Sequence, residues 1–203
     1  MTTRLTLIRH GETDWNVSGT WQGIAPVPLN DNGIKQVRVA APYLQNAGIT
    51  RIISSDLKRC RQTAEIVAEQ LNLPVVHDQR WREIDLGRWQ GLKKAEIMTW
   101  DGDAYNQFQA SEYLSRQFPD GESQQQHIDR TTQAMLEIAL AYASEHILIV
   151  THGGSIRCAL YQVNKERTHL SGNCTLTRFV FDQSAEVWRV IAVSQEPETV
   201  KWD

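Results

Sequence analysis

Apolar residues along this chain fall into short runs that end abruptly in polar turn residues. Residues 5–8 form one such run, and Arg9 and His10 follow it directly. A second run, residues 147–150, passes through Thr151 into His152. Continuous apolar runs of this length, bounded by turn residues, are typical of buried strands. The chain is therefore predicted to contain buried strands that each end in a histidine.

Between these runs the apolar residues recur at helical spacing. A helix capped by Asn30 or Asp31 is predicted first, with a kink at Pro42. Helices are also predicted after residue 56, after residue 123 and from Gly153 to about residue 163. The alternation of strands and helices predicts a single α/β domain over residues 1–203, a three-layer α/β/α sandwich with a mainly parallel sheet.

Four further segments complete the predicted architecture. Residues 21–29 contain two prolines and a glycine and are predicted to be a loop, and residues 73–76 a short strand. Residues 92–122 are predicted to form a helical insertion over the carboxyl ends of the strands. Two β-rich runs, 175–181 and 187–193, predict a hairpin at the sheet edge. The polar tail, residues 194–203, is predicted to be loosely held.

Composition excludes several classes of partner. The chain has 203 residues, 41% of them hydrophobic and 22% charged, with a net charge of −3. Such a chain has no global positive field for nucleic acid or an anionic membrane, and no apolar segment approaches a membrane span. The N-terminal apolar run is too short for a secretory signal. Three scattered cysteines favour a reducing compartment, so a cytoplasmic protein is expected.

The strand ends carry the candidate chemistry. A third strand, residues 52–54, leads into a helix whose first turn holds Arg59, off the predicted apolar face. A cation at a helix N-terminus is electrostatically unfavourable unless an anion is bound there. Arg9, His10, Arg59 and His152 would then converge on one rim and bind an anion. The alternative is that these groups are simply hydrogen-bonded within the protein or solvated.

Three motifs in order resemble the signature of a known family. They are Leu-Ile-Arg-His-Gly-Glu-Thr at residues 7–13, Ser-Asp-Leu-Lys-Arg-Cys-Arg-Gln-Thr-Ala at 55–64, and Val-Thr-His-Gly-Gly at 150–154. Over residues 4–192 the chain resembles the histidine phosphatase superfamily, which has the phosphoglycerate mutase-like fold. Within it, the short α-ribazole phosphatases and broad-specificity phosphatases look most similar.

The resemblance implies roles for individual residues. His10 would be the nucleophile, with Arg9, Arg59 and His152 holding the phosphoryl oxygens. Glu83, a few residues before a Gly-x-Trp-x-Gly turn, would be the proton donor. Its neighbour Asp85 shares one face with it if this piece alternates, so the sequence leaves the choice between the two open.

Further residues are implied to contact the phosphoryl group or the substrate. Asn16, Gln22 and Gly23 match such positions in the family, although asparagine and glycine also favour turns for their own sake. Gly153 opens a helix, whose first amides would point at the anion.

The predicted function is hydrolysis of small phosphomonoesters through a phosphohistidine, as in an acid-type histidine phosphatase. No metal or cofactor is expected, because arginine and histidine supply the positive charge. The expected ligand is a small phosphorylated metabolite, with neither nucleic acid nor membrane as partner and a homodimer as a candidate assembly.

Two alternatives remain. A cofactor-dependent phosphoglycerate mutase is disfavoured because Arg116 has no arginine neighbour in the insertion and Trp21-Gln22-Gly23 departs from the mutase pattern. A phosphate-binding regulator without turnover is disfavoured because the catalytic set is complete.

Overall fold

A computed structural model describes residues 1–169 and 172–202, and in this part of the chain six strands form one mixed sheet. The strands are β1 (Thr2–Arg9), β2 (Arg51–Ser54), β3 (Val75–His77), β4 (His146–Thr151), β5 (Leu176–Asp182) and β6 (Val187–Gln195). Their spatial order is β3-β2-β4-β1-β5-β6. The first four are mutually parallel, and β5 and β6 are antiparallel additions at one edge. The predicted mainly parallel sheet and edge hairpin are confirmed.

Among the described residues, seven helices pack around this sheet or above its carboxyl edge. They are α1 (Asp14–Ser18), α2 (Asp31–Ala40), α3 (Lys58–Leu71), α4 (Lys94–Trp100), α5 (Gly102–Ala110), α6 (Gln124–Ala141) and α7 (Gly153–Asn164). Asn30 caps α2 by accepting from the Gly33 N–H at 2.7 Å, as one of the two predicted caps. Ser123 caps α6 in a reciprocal pair with Gln126.

Alternation along the central strands divides the core into two layers. Leu5 and Leu7 of β1 pack with α6 and α7 on one face of the sheet, whereas Ile8 packs with α2 and α3 on the other. β4 divides in the same way, with Ile147 and Leu148 on opposite faces. Period-two alternation on a sheet with two apolar faces requires helices on both sides, so the predicted three-layer sandwich is confirmed.

The predicted helical insertion supplies a third apolar cluster. α4, α5 and a 3₁₀ turn at Tyr113–Ser115 occupy most of residues 92–122. Trp89 and Phe108 meet edge to face, with ring centroids 5.4 Å apart, and Phe118 packs beside them. The cluster ties the insertion to the loop that carries Glu83, because Ile84 and Leu86 belong to it.

Local structure departs from the predictions in two places, and in a third it decides what the sequence left open. Residues 81–91 do not alternate as a strand: two 3₁₀ turns, Gln79–Trp81 and Gly87–Trp89, are joined by irregular backbone. α1 is a five-residue helix that the sequence did not predict, although residues 21–29 are a loop as expected. α2 ends at Ala40 and continues as a 3₁₀ helix, Ala41–Ala47, because Pro42 cannot donate an α-helical hydrogen bond.

The tail prediction is wrong for the described part of residues 194–203. β6 extends to Gln195, and Pro197 is buried in a further 3₁₀ turn, Pro197–Thr199. The indole N–H of Trp202 donates to the Tyr43 carbonyl at 2.8 Å, and the ring packs against the α2–α3 layer. One apolar side chain near the end of a polar segment anchors it to the body.

Candidate active site

A cavity of about 720 Å³ opens at the carboxyl ends of the central strands, beneath the helical insertion. Eight of the nine predicted site residues line it. They are Arg9, His10, Asn16, Gln22, Gly23, Arg59, Glu83 and Gly153. Parallel strand ends are where open α/β sheets bind ligands, and these eight residues lie together at that edge of the sheet.

The register of β1 and β4 places the two histidines side by side. Arg9 is paired with Thr151, so His10 and His152 each follow directly at neighbouring strand ends. Their rings meet edge to face, with centroids 5.2 Å apart. Both are buried, and the pKa of each imidazole is well below its ordinary value because burial disfavours the charged form and arginines lie near.

His10 has a defined tautomer. Its Nδ1 lies 2.7 Å from the Gly11 carbonyl oxygen, which can only accept, so Nδ1 carries the proton. Nε2 therefore bears a lone pair, and it accepts from Arg59 Nε at 3.2 Å. Burial, followed by the charges of Arg59 and Arg9, depresses the His10 pKa and keeps the ring neutral at neutral pH. A neutral imidazole whose Nε2 carries a lone pair can act as a nucleophile.

Arg59 is buried, with 1% of its surface exposed, and this corrects the prediction of a side chain off the core face. Its Nη1 donates to the Ala25 carbonyl at 3.0 Å and its Nη2 to the Gly23 carbonyl at 2.8 Å. These bonds fix the plane of the guanidinium beside His10 and leave further N–H groups for an anion. The loop at residues 21–29 is thus needed to aim Arg59, which sequence spacing could not show.

His152 is placed differently from the prediction. It is fully buried and lies behind His10 rather than on the cavity wall. Its Nε2 lies 2.9 Å from Ser55 Oγ and 3.3 Å from Cys60 Sγ. In this arrangement His152 supports the His10 ring from behind and does not face the open cavity.

Glu83 lies in the cavity, and Asp85 does not. Glu83 Oε2 accepts from the Gly154 N–H at 2.9 Å, at the start of α7, and Oε1 accepts from the Ile84 N–H. Asp85 instead accepts from the Gly87 N–H at 2.9 Å within its own turn. The sequence left open the choice between these two carboxylates. In the structure only Glu83 can reach a ligand near His10.

The protonation of Glu83 follows from its surroundings. Burial raises the pKa of this carboxyl, but His127 when protonated, Arg157 and the two backbone donors lower it by more. The carboxylate is therefore ionised at neutral pH in the free site. Gly154 is required for this placement, because a Cβ at residue 154 would overlap Glu83 Oε1.

The loop residues Asn16, Gln22 and Gly23 line the cavity and also hold the local backbone or neighbouring side chains in place. Asn16 Oδ1 accepts from Thr13 and from Asn173, so the amide nitrogen is the group left to meet an anion. Gly23 has φ +48°, and a Cβ there would press on Leu86 and Gln90. Gln22 Oε1 is buried and has no hydrogen-bond partner in residues 1–169 and 172–202.

Sequence reasoning missed several cavity residues. His127 of α6 is buried, its Nε2 lies 3.0 Å from Ser155 Oγ, and burial lowers its pKa to about 4. Arg157 and Arg167 also line the cavity. These three residues come from α6, from α7 and from the segment that follows α7, and no motif joined them. Helical spacing alone could have paired Arg157 with Gly153, because they are four residues apart on α7.

The residues that the structure describes carry neither a metal-binding cluster nor a membrane-spanning helix. No group of three or more histidine, cysteine, aspartate or glutamate side chains is arranged to hold a metal ion in that part of the chain. None of the helices formed by the described residues has both the length and the apolar character needed to cross a bilayer.

Comparison with known proteins places this site in a family. The histidine phosphatase superfamily (branch 1) matches residues 5–194. The chain is 31% identical over 192 residues to the "Uncharacterized phosphatase PhoE" of Bacillus subtilis, covering 93% of this chain and 92% of the relative. It is 37% identical over 185 residues to the "Probable phosphoglycerate mutase GpmB" of Proteus mirabilis, covering 88% of this chain and 85% of the relative.

A solved structure supports the same fold. An Escherichia coli protein, provisionally described as an α-ribazole-5′-P phosphatase, superposes with a TM-score of 0.86, covering 98% of this chain and 99% of its own. At 23% sequence identity this likeness concerns the fold alone. Together with the strand-end histidines and the matched span, these findings confirm the resemblance: the chain belongs to the histidine phosphatase superfamily, branch 1.

Proposed function

We propose that this protein is a metal-independent phosphatase that hydrolyses small phosphomonoesters through a phosphohistidine on His10. The observation that carries the proposal is the neutral His10, with its Nε2 lone pair held beside the guanidinium of Arg59. The family match and the phosphatase relative support the phosphatase activity. The mechanism and the independence from metal rest on the chemistry of the residues.

The first step transfers the phosphoryl group to the protein. Arg9, Arg59 and the N-terminus of α7 hold the nonbridging oxygens by charge-assisted hydrogen bonds, which offsets the repulsion between the anion and a nucleophile. His10 Nε2 donates its lone pair to phosphorus, the N–P bond forms and the P–O bond to the leaving alcohol breaks. Arginine supplies the charge neutralisation that metal ions supply in other phosphoryl-transfer enzymes.

Glu83 moves the proton in both steps. It is ionised in the free site, and an arriving phosphate raises its pKa by like-charge repulsion, so it takes the proton of an ester bound as the monoanion. It then gives this proton to the leaving oxygen. In the second step it removes a proton from water, which attacks phosphorus, breaks the N–P bond and releases phosphate. That proton passes from Glu83 to solvent as phosphate departs, and the free site again holds a carboxylate. Because one proton must enter with the ester, whose second pKa is about 6, activity is favoured at acidic pH.

Phosphoglycerate mutase is the second candidate, and the GpmB relative favours it. In that reaction the phosphohistidine returns its phosphoryl group to a phosphoglycerate hydroxyl and not to water. The sequence argument against it weakens, because Arg157 and Arg167 line the same cavity as Arg116. The choice between the two reactions depends on which acceptor reaches phosphorus.

The test is to trap the intermediate and follow its phosphoryl group. Brief incubation with labelled aryl phosphate should label the wild type with an acid-labile, base-stable phosphate, and His10→Ala should show neither label nor turnover. His77→Ala, at an exposed histidine, is the matched control. Release of the label as phosphate in the presence of phosphoglycerate supports the phosphatase, and its transfer to phosphoglycerate supports the mutase. Full turnover by His10→Ala would refute the covalent mechanism, and no turnover of any ester would support a regulator.

A further inference from the structure

The backbone of the segment that carries Glu83 is held by side chains. Residues 80–83 run from a 3₁₀ turn into irregular backbone, so their carbonyl groups take no part in the sheet. All four of these consecutive carbonyl oxygens nevertheless accept a hydrogen bond from a side chain. The Trp81 carbonyl, for example, accepts from Thr151 Oγ1 at 2.8 Å. The path of this segment therefore depends on donors from other parts of the fold.

Arg130 of α6 supplies the donors for three of these four carbonyls. Its Nη1 donates to the carbonyls of Arg80 and Arg82, each at 2.8 Å. Its Nη2 donates to the carbonyl of Glu83 at 3.0 Å. A guanidinium presents its N–H groups in one rigid plane, so a single side chain fixes these three carbonyls relative to one another.

Glu122 orients the Arg130 guanidinium. Its Oε1 accepts from Arg130 Nε at 2.7 Å and its Oε2 from Arg130 Nη2 at 2.8 Å, and both side chains are mostly buried. Glu122 Oε2 also lies 3.3 Å from the Asp85 N–H, which donates to it. Arg130 and Glu122 together therefore hold the backbone on both sides of Glu83.

Arg130 lies outside the candidate active site itself. It is not among the described residues that line the active-site cavity, and it borders a separate cavity of about 630 Å³. Glu83 borders both cavities. Any effect of Arg130 on a reaction at His10 must therefore pass through the segment that carries Glu83.

We propose that Arg130, oriented by Glu122, is a positioning residue that fixes Glu83 where it can move the proton. This proposal rests on the proposed phosphatase function and deepens it. A general acid or base must lie within hydrogen-bond reach of the proton that it transfers, and a displacement of about 1 Å can reduce a rate by roughly 10²-fold. Without Arg130 the acid–base function should fail, whereas His10 and Arg59 keep their own contacts.

The test removes the donors of Arg130 and varies the leaving group. Arg130→Met should lower kcat for an alkyl phosphate by roughly 10–100-fold with little change in KM. With nitrophenyl phosphate, whose leaving group needs little protonation, the nitrophenol burst should persist and the phosphoenzyme should accumulate. Arg51→Met is the matched control, because Arg51 forms the same forked pair with Glu145 at the opposite end of its strand from the cavity. It should change neither measurement.

A double variant separates positioning from general damage to the fold. Once Glu83→Gln has removed the carboxylate, Arg130 has no acid or base to position. Glu83→Gln with Arg130→Met should therefore hydrolyse the alkyl phosphate within about twofold of Glu83→Gln alone, since residues that act as one unit are not additive. Losses that multiply, or equal losses on the alkyl and the nitrophenyl ester, would overturn the proposal.

Glu122→Gln provides a milder change to the same pair. Its amide oxygen can still accept from Arg130, so the variant should show the same selective alkyl defect, reduced to several-fold. It decides the outcome if Arg130→Met does not fold in denaturant measurements, and a Glu122→Gln protein without the defect would then overturn the proposal. Wild type that hydrolyses neither ester would overturn the proposed function as well, whereas unselective losses in an active protein overturn the role of Arg130 alone.

Discussion

At the scale of single residues, substitutions of the two carboxylates near the site are expected to have different effects. Glu83 faces the cavity and Asp85 caps a turn. Glu83→Gln should slow hydrolysis of alkyl phosphates by roughly 10²–10⁴-fold, because a strongly basic alkoxide needs a proton to leave. A nitrophenyl ester needs little protonation, so its first step should survive and the phosphoenzyme should accumulate.

Asp85→Asn is the matched control, and it should produce neither effect. Rapid-quench measurement of the nitrophenol burst and of bound phosphate separates the two steps. A selective alkyl defect in Asp85→Asn, with normal kinetics in Glu83→Gln, would show that the assignment is reversed.

The positions of the arginines at the histidine end of the cavity lead us to expect that metal chelation does not change the activity. Arg9 and Arg59 line the phosphoryl end of the cavity, and the N-terminus of α7 faces it. Because these groups supply the positive charge in the proposed mechanism, EDTA should leave kcat/KM unchanged. The measurement is phosphate release before and after dialysis against EDTA. Loss of activity that a divalent ion restores would contradict the mechanism.

The sequence predicted the site residues that lie at strand ends, but not the placement of those that depend on tertiary contacts. Arg9, His10 and His152 follow strands directly, so strand ends and motif order were sufficient to group them. The burial of Arg59 and the retreat of His152 behind His10 depend on contacts with a distant loop and with Ser55. Arg157 and Arg167 were missed because only tertiary packing brings them to the cavity.

At the scale of elements, the turn that follows Glu83 is fixed by two glycines packed backbone to backbone. Gly87 has φ +51°, and a Cβ there would lie 2.6 Å from Asp120 C and from Gly121 N, and still closer to the Pro119 carbonyl. Glu122 N–H donates to the Asp85 carbonyl at 2.9 Å across the same junction. This junction holds the insertion on the loop that carries Glu83.

Gly87→Ala should therefore destabilise the protein by the left-handed backbone cost plus overpacking, about 2–5 kcal/mol in total. Gly19→Ala is the control, because Gly19 has φ +71° but no atom within 4 Å of an added Cβ. It should cost only about 1–2 kcal/mol. Denaturant unfolding measures both free energies, and equal losses would show that the junction is not tightly packed.

Elements were predicted best where periodicity was strong. The central strands and α2, α3, α6 and α7 follow from alternation and helical stripes. The path of residues 81–91 was left open because two charged residues in alternation do not decide between a strand and a turn, whereas turn hydrogen bonds and the insertion cluster determine that path. The tail was misjudged because its polarity concealed Trp202.

At the scale of the whole molecule, buried histidines predict a loss of stability in acid. Burial lowers the pKa of His127 and of His146 to about 4, from 6.5, and burial also holds the pKa of His10 and of His152 well below the ordinary value. Between pH 6.5 and 4 the unfolded chain binds these protons and the folded chain does not. The stabilising contribution of these neutral histidines is therefore complete above pH 6.5. As the pH falls below 6.5, the free energy of unfolding should decrease by about 1.4 kcal/mol per pH unit for each histidine.

His146 offers a direct test. Its Nδ1 donates to the Ala47 carbonyl and its Nε2 accepts from Thr6 Oγ1, so protonation breaks the second bond. At pH 7.5, His146→Asn should have a lower free energy of unfolding than the wild type. Between pH 7.5 and pH 5, however, the free energy of unfolding of the variant should decrease by less than that of the wild type. His77→Asn, at an exposed position, should keep the wild-type difference. Parallel curves for all three proteins in denaturant titrations would refute the prediction.

The hydrogen bond from His10 Nδ1 to the Gly11 carbonyl also determines regiochemistry. A histidine can carry a phosphoryl group on either ring nitrogen, and the two isomers are distinct compounds. Here the main chain blocks one nitrogen with a bond that the ring would have to rotate to break, while the other lies beside Arg59. In the proposed mechanism the phosphoryl group is therefore directed to Nε2 before any substrate arrives, by a backbone atom that no side-chain substitution removes.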